Sequence, residues 1–125
     1  MKSSKRQGIL EQRTKQFALQ VIGLYSTLPK SAVCQVLGRQ LLRSGTSVGA
    51  QYREAMRAKS PADFTSKMEG SLQEIEETRY WLELLVESGT LPGNRVAPLR
   101  PEADELVAMF AASVLTAKRN KSRNS

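Results

Sequence analysis

Histidine is absent from this chain of 125 residues, and cysteine occurs once, as Cys34. Without an imidazole there is no Ser-His-Asp or Cys-His triad, no HExxH zinc hydrolase and no histidine acid–base chemistry. The Glu-x-x-His ligand sets of ferritin-like di-iron bundles are excluded with them. A single cysteine rules out an intramolecular disulfide framework and a multi-cysteine zinc site, and it fits a reducing cytoplasm. No apolar run approaches the ~18 residues that a spanning helix needs. The charged N-terminus leads into no uninterrupted apolar stretch of the secretory kind. Strand-like alternation is missing as well. The expectation is a single cytoplasmic domain that is not an enzyme, with no cofactor, no metal and no membrane partner.

What is present is ordinary for a globular domain: 40% hydrophobic and 25% charged residues, enough at this length to close one core without staples. The charge is less ordinary. Nineteen Lys and Arg face twelve Asp and Glu, a net charge of +7 that favours attraction to polyanions.

Four amphipathic segments are separated by turn signals. The first, roughly 9–28, repeats Leu10, Phe17, Val21, Leu24 and Leu28 at helical spacing and stops at Pro29. The second, 31–59, starts at a capping Ser31 and gathers Cys34, Leu37, Leu41, Val48, Tyr52, Ala55 and Met56. Ser60-Pro61-Ala62-Asp63 is a helix start, with serine at the cap and proline at the first position. The third segment, 61–88, then carries Phe64, Met68, Ser71, Ile75, Thr78, Leu82 and Leu85 in strict 4-3 spacing, which favours shallow, near-parallel packing. Gly89 is a stop signal. An irregular connection over 90–100 leads to the fourth, 99–119, with Ala103, Leu106, Phe110, Val114 and Ala117 on its buried side. The polar ends are expected to fray. Short links between long helices predict an all-α, antiparallel, up-down-up-down four-helix bundle.

Core packing leaves several faces unexplained. Arg39, Arg43, Arg53 and Arg57 fall within about 80° of one another on the side of the second helix opposite its apolar face, and run about 27 Å along its axis. Arginine suits phosphate because its planar fork binds two oxygens at once. Lys2, Lys5, Arg6, Arg13 and Lys15 at the front add to this track, as do Lys118, Arg119, Lys121 and Arg123 at the back. The bland alternative is a solvated charged face. A sharper alternative is internal pairing with the acidic stripe Glu69, Glu76, Glu83 and Glu87 of the third helix, in which case the arginines specify assembly. Arg79, flanked by Glu76 and Glu83, is expected to form a partly buried ion pair that fixes register. Tyr80, Trp81 and Leu84 point away from the main seam, and Tyr25 adds to them. Such a surplus of apolar faces argues for an oligomer.

Arg43-Ser44-Gly45-Thr46-Ser47-Val48-Gly49-Ala50 has two glycines inside a helix, each costing about 1 kcal/mol relative to alanine. No GKS or GKT follows, so the segment is not a phosphate loop. Close helix–helix approach is the expected reason.

The stretch Gln40 to Ala55, QLLRSGTSVGAQYREA, resembles the signature of the bacterial four helix bundle protein family, also called the 23S rRNA intervening-sequence or S23-like family. ETRYWLELL, Glu77 to Leu85, resembles its second motif, and AKRN, Ala117 to Asn120, its usual ending. Ser44, Gly45, Ser47, Gly49, Gln51 and Glu54 of the first motif and Arg79 of the second then have structural roles. Gln51 departs from the asparagine that many members carry. The resemblance implies a homopentameric barrel with no attached enzymatic activity. Some members are encoded within insertions in ribosomal RNA genes. A related group serves diversity-generating retroelements as accessory proteins that bind nucleic acid and the reverse transcriptase. The leading expectation is therefore a non-enzymatic homo-oligomeric scaffold that binds RNA or DNA through backbone phosphates, with nothing to read base edges. The rival is a protein–protein adaptor whose charged stripes neutralise each other.

Overall fold

The computed structural model describes residues 2–123, with side chains over residues 7–120. Four long helices follow one another: α1 (Lys2–Ser26), α2 (Ala32–Met56), α3 (Pro61–Glu87) and α4 (Leu99–Arg123). Between the last two lies one 3-10 turn, Gly93–Arg95. No strand occurs among the described residues.

The helix starts are chemically specified. Ser31 accepts a hydrogen bond from the Cys34 N–H at 3.2 Å. Ser60 accepts one from the Asp63 N–H at 3.1 Å, and Asp63 in turn accepts from the Lys59 N–H at 3.1 Å. Each cap satisfies donors that a helix cannot pair internally, typically worth ~1 kcal/mol. Gly89 ends α3 with φ +77°, a conformation that a Cβ disfavours. Its N–H donates to Val86 O at 3.0 Å and the Leu91 N–H to Leu85 O at 2.9 Å.

Both outer helices run further than the apolar pattern indicates, α1 beginning at Lys2 and α4 continuing to Arg123. Periodicity marks only the turns that bury something, whereas Lys, Arg and Gln are good helix formers that extend a helix into water. The connection over 90–100 is also more ordered than its composition implies. Leu91, Val96 and Leu99 are all buried and belong to the core.

The 4-3 seam of α3 is buried from Met68 through Leu85 and lies at the centre of the bundle. Tyr52 and Phe110 meet edge-to-face across the core at 5.8 Å. The Tyr52 hydroxyl donates to the Gln7 carbonyl at 3.4 Å, fastening the start of α1. Burial, with a smaller contribution from Glu11, pushes the Tyr52 phenol up to about 12. The folded state therefore holds that proton more tightly than the unfolded chain, so this contribution is intact below pH 10 and is lost as pH rises towards 12. Over that window wild type should lose on the order of 2 kcal/mol more stability than Tyr52→Phe. Urea melts of both proteins at pH 8, 10 and 11.5 test this, and parallel losses would refute it.

Three glycines of α2 make room for α1. A Cβ at residue 45 would lie 2.9 Å from Val21 Cγ2, and one at residue 49 would lie 3.0 Å from Thr14 Oγ1. At residue 38 it would meet Leu28 Cδ1 at 2.6 Å and Tyr25 Cδ2 at 3.3 Å. Tyr25 is thus half-buried against α2 instead of lying on a free surface. The α2–α3 contact is a small polar seam. Ser71 Oγ donates to the Val48 carbonyl at 3.0 Å. The Thr78 hydroxyl lies 2.8 Å from Ser44 Oγ and 2.8 Å from the Glu74 carbonyl. Gln51 occupies the space left by Gly70, where a Cβ would fall on its Oε1. Close approach through small residues is therefore the reason for the glycines and serines of the motif.

Candidate nucleic-acid interface

Arg39, Arg43 and Arg53 of α2, and Arg57 at its C-cap, do not form one uniform track. All four are exposed. Arg43 reaches α3, where its Nη2 lies 2.5 Å from Glu77 Oε1 and its Nη1 3.4 Å from Glu74 Oε2. The hydrogen bond to Glu77 leads the causes that hold its guanidinium above the usual arginine range. Arg53 reaches the other way, to Glu11 of α1 at 3.5 Å. Arg39 and Arg57 form no ion pair among the described residues. The helix wheel explains this division: Arg39 and Arg57 point straight outward, while Arg43 and Arg53 lie to either side, within reach of a neighbouring helix.

Glu74 changes what Arg43 can do. Its side chain is 12% exposed, and the two contacts made by Arg43, to Glu74 and to Glu77, form one cluster. A buried carboxylate needs a partner. Withdrawing Arg43 to bind a phosphate would leave Glu74 alone. Arg43 is therefore a positioning residue of the α2–α3 contact, a role the heptad spacing of the acidic stripe did not reveal.

Arg13, expected among the basic front residues, is likewise committed. Its guanidinium forks onto Glu102, with Nε at 2.9 Å from Oε2 and Nη2 at 2.5 Å from Oε1, and it also reaches Glu105 at 3.2 Å. Glu102 is the main cause that raises its already high pKa. The pairing joins α1 to α4, the two adjacent helices that touch least.

The acidic stripe of α3 does not neutralise the arginines as its spacing suggests. Glu69 binds Lys118 of α4 at 3.3 Å, while Glu76 and Glu83 form no ion pair among the described residues. Arg79 is exposed and pairs with Asp104 of α4 at 3.2 Å, not with the flanking glutamates. A surface pair of that kind contributes little, so Arg79 is no buried register device.

The surplus apolar residues are also redistributed. Only Tyr80 of the expected group is exposed, at 51%. Trp81 is half-buried against the core, 5.3 Å from the Tyr80 ring, with its indole N–H enclosed and without an acceptor among the described residues. Leu84 is half-buried. Val33 and Val36, each 54% exposed, were not singled out by periodicity because they occupy the outward side of the first turns of α2. Leu19 and Ile22 of α1 and Leu115 of α4 are exposed as well, and Tyr80 lines a groove between α3 and α4 with Glu69, Val114 and Lys118.

The described helices at one end of the bundle are linked by a belt of ion pairs. Glu11 joins Arg53 at 3.5 Å, Glu54 joins Lys67 at 3.6 Å, and Glu69 joins Lys118 at 3.3 Å. These contacts run in order across α1, α2, α3 and α4. Arg119 is exposed next to Lys118, and the side chain of Lys121 lies outside the described residues. No group of three or more His, Cys, Asp or Glu able to hold a metal, and no helix long and apolar enough to cross a membrane, occurs among the described residues.

An antiparallel bundle closed by a glycine- and serine-lined second helix, with half of its arginine stripe tied to neighbouring helices, defines the class of protein. The chain belongs to the 23S rRNA-intervening sequence protein family, whose family model matches residues 6–112. It is similar to a crystal structure from Bacteroides thetaiotaomicron described as a protein with unknown function from the S23 ribosomal protein family. The two share 32% identity and a TM-score of 0.80 over 86% of this chain and 96% of that one. No curated protein matches the chain significantly.

Proposed function

We propose that this protein is a non-enzymatic, homo-oligomeric scaffold that binds RNA or DNA through backbone phosphates. The observation that carries this reading is uncompensated positive charge. Arg57, Lys59 and Arg119 are exposed and form no ion pair among the described residues, and the whole chain has a net charge of +7. Phosphate binding needs only such side chains and the release of counterions. Self-association is supported by exposed apolar side chains on three helices: Leu19 and Ile22 of α1, Val33 and Val36 of α2, and Tyr80 of α3. Aromatic and apolar residues are enriched in interface cores. The pentamer implied by the family resemblance is one closed ring such an interface can form.

A specific observation favours the adaptor alternative: Arg43 and Arg53 are already bound within the chain. Fluorescence anisotropy of labelled single-stranded RNA and DNA, from about 50 to 200 mM salt, separates the two. The scaffold reading predicts micromolar or tighter binding whose log–log slope steepens by about 0.7 per phosphate contact. Light scattering should give a molar mass at least twice the 13.9 kDa of one chain. Absence of binding at the lowest salt would overturn the nucleic-acid assignment and leave the adaptor.

A further inference from the structure

We propose that the phosphate backbone is taken by one end of the bundle, where the start of α1, the α2–α3 turn and the end of α4 come together, and not by a track along α2. This rests on the nucleic-acid reading above and assigns it a place. Alternating helix directions bring these three parts of the chain to the same pole, as the belt Glu11–Arg53, Glu54–Lys67 and Glu69–Lys118 records. Beyond the belt, Arg57, Lys59 and Arg119 are exposed and have no carboxylate partner among the described residues.

Helix electrostatics does not account for this concentration. Basic residues at the ends of α2 and α4 complement the negative ends of their dipoles. The first turn of α1 does the opposite: it holds Lys2 and Lys5, with no acid, at the positive end of its own dipole. Grouping like charge there works against folding, and nothing in the core requires it. A polyanion crossing the pole compensates for it. At the other pole Glu83 and Glu87 lie near the end of α3 and form no ion pair among the described residues.

Nucleic acid fits this pole better than an anionic membrane. Membrane docking needs apolar side chains clustered among the basic ones. Near this pole the exposed large apolar side chains are one on each of two helices, Ile9 of α1 and Leu115 of α4, which is less than a membrane-seeking face needs.

The test uses the full-length protein and three variants: Arg57→Glu/Lys59→Glu/Arg119→Glu, its neutral counterpart with glutamine at all three positions, and Arg39→Glu. Labelled single-stranded RNA and DNA are titrated over the same salt range, with melting temperature and molar mass as controls for folding and assembly. The pole assignment predicts at least tenfold weaker binding for both triple variants at about 100 mM salt, and a salt slope lower by about 2. Molar mass should be unchanged, and Arg39→Glu should bind within about twofold of wild type. If Arg39→Glu loses as much affinity as the triple variants, the α2 track is restored and the pole is wrong. Full binding by the glutamine variant is equally fatal to it. Binding of wild type to phosphatidylserine vesicles but not to RNA or DNA would replace nucleic acid with a membrane. A wild type that binds neither defeats the nucleic-acid reading itself.

Discussion

Gly45→Leu is expected to lower stability by about 2–3 kcal/mol, a fall of roughly 10 °C in melting temperature for a domain of this size. The new side chain would start from a Cβ only 2.9 Å from Val21 Cγ2 and 3.0 Å from Cγ1. Val21 is fully buried and β-branched, so it can neither move aside nor change rotamer freely. α1 must therefore separate from α2 along its length, disturbing the contacts at residues 38 and 49 as well. Removing a mid-helix glycine returns about 1 kcal/mol of helix propensity, which is already set against the overpacking in that figure. Gly23→Ala is the control. It meets nothing within 4 Å on an exposed part of α1 and should stabilise by about 0.5–1 kcal/mol. Thermal melts of both variants decide the matter. A Gly45→Leu protein melting within 2 °C of wild type would show that the α1–α2 approach is not tight.

Arg43→Glu should destabilise by about 2–3 kcal/mol while Arg39→Glu changes stability by less than about 0.5 kcal/mol. The two arginines look alike on a helix wheel, and the difference comes from Glu74. Reversing Arg43 removes the partner of a carboxylate that is 12% exposed and adds a like charge beside Glu77. A fully buried broken pair costs 3–5 kcal/mol; the figure here is reduced because about half of Arg43 is in water. Glu74→Gln in the Arg43→Glu background should recover at least half of the loss, since an amide tolerates the acidic neighbours that a carboxylate does not. A double-mutant cycle in urea measures this coupling. Zero coupling would return Arg43 to the set of free phosphate-binding residues. Reversing Arg39, Arg43, Arg53 and Arg57 together would therefore confuse lost phosphate contacts with lost structure.

Much of the architecture is legible before any coordinates. The caps at Ser31 and Ser60, the stop at Gly89 and the seam from Met68 to Leu85 all depend on residues within a few turns of one another. Backbone hydrogen bonding and the 3.6-residue repeat fix such features locally. The close approach at Gly45 and Gly49 is legible too, because mid-helix glycine costs helix propensity and must be offset by something.

The charged residues are a different matter. Spacing pairs Arg79 with Glu76 and Glu83, but the fold gives it Asp104. Spacing sets Glu69 against the α2 arginines, but the fold gives it Lys118. A salt bridge between helices depends on the rotation of each helix and its axial register, and a one-turn slip of 5.4 Å replaces every partner. The buried Glu74 was missed for the same reason: its position on the wheel gives no sign of what α2 brings against it.

The sequence by itself determined four helices, two of them opened by serine caps, a central apolar seam, the reason for glycine in α2 and an excess of positive charge. Only the tertiary structure decided which of those charges are consumed by Glu11, Glu74, Glu77 and Glu102, and that widely separated basic stretches meet at one pole. Helix direction, which alternates with each turn of the chain, brings together residues that no local periodicity connects.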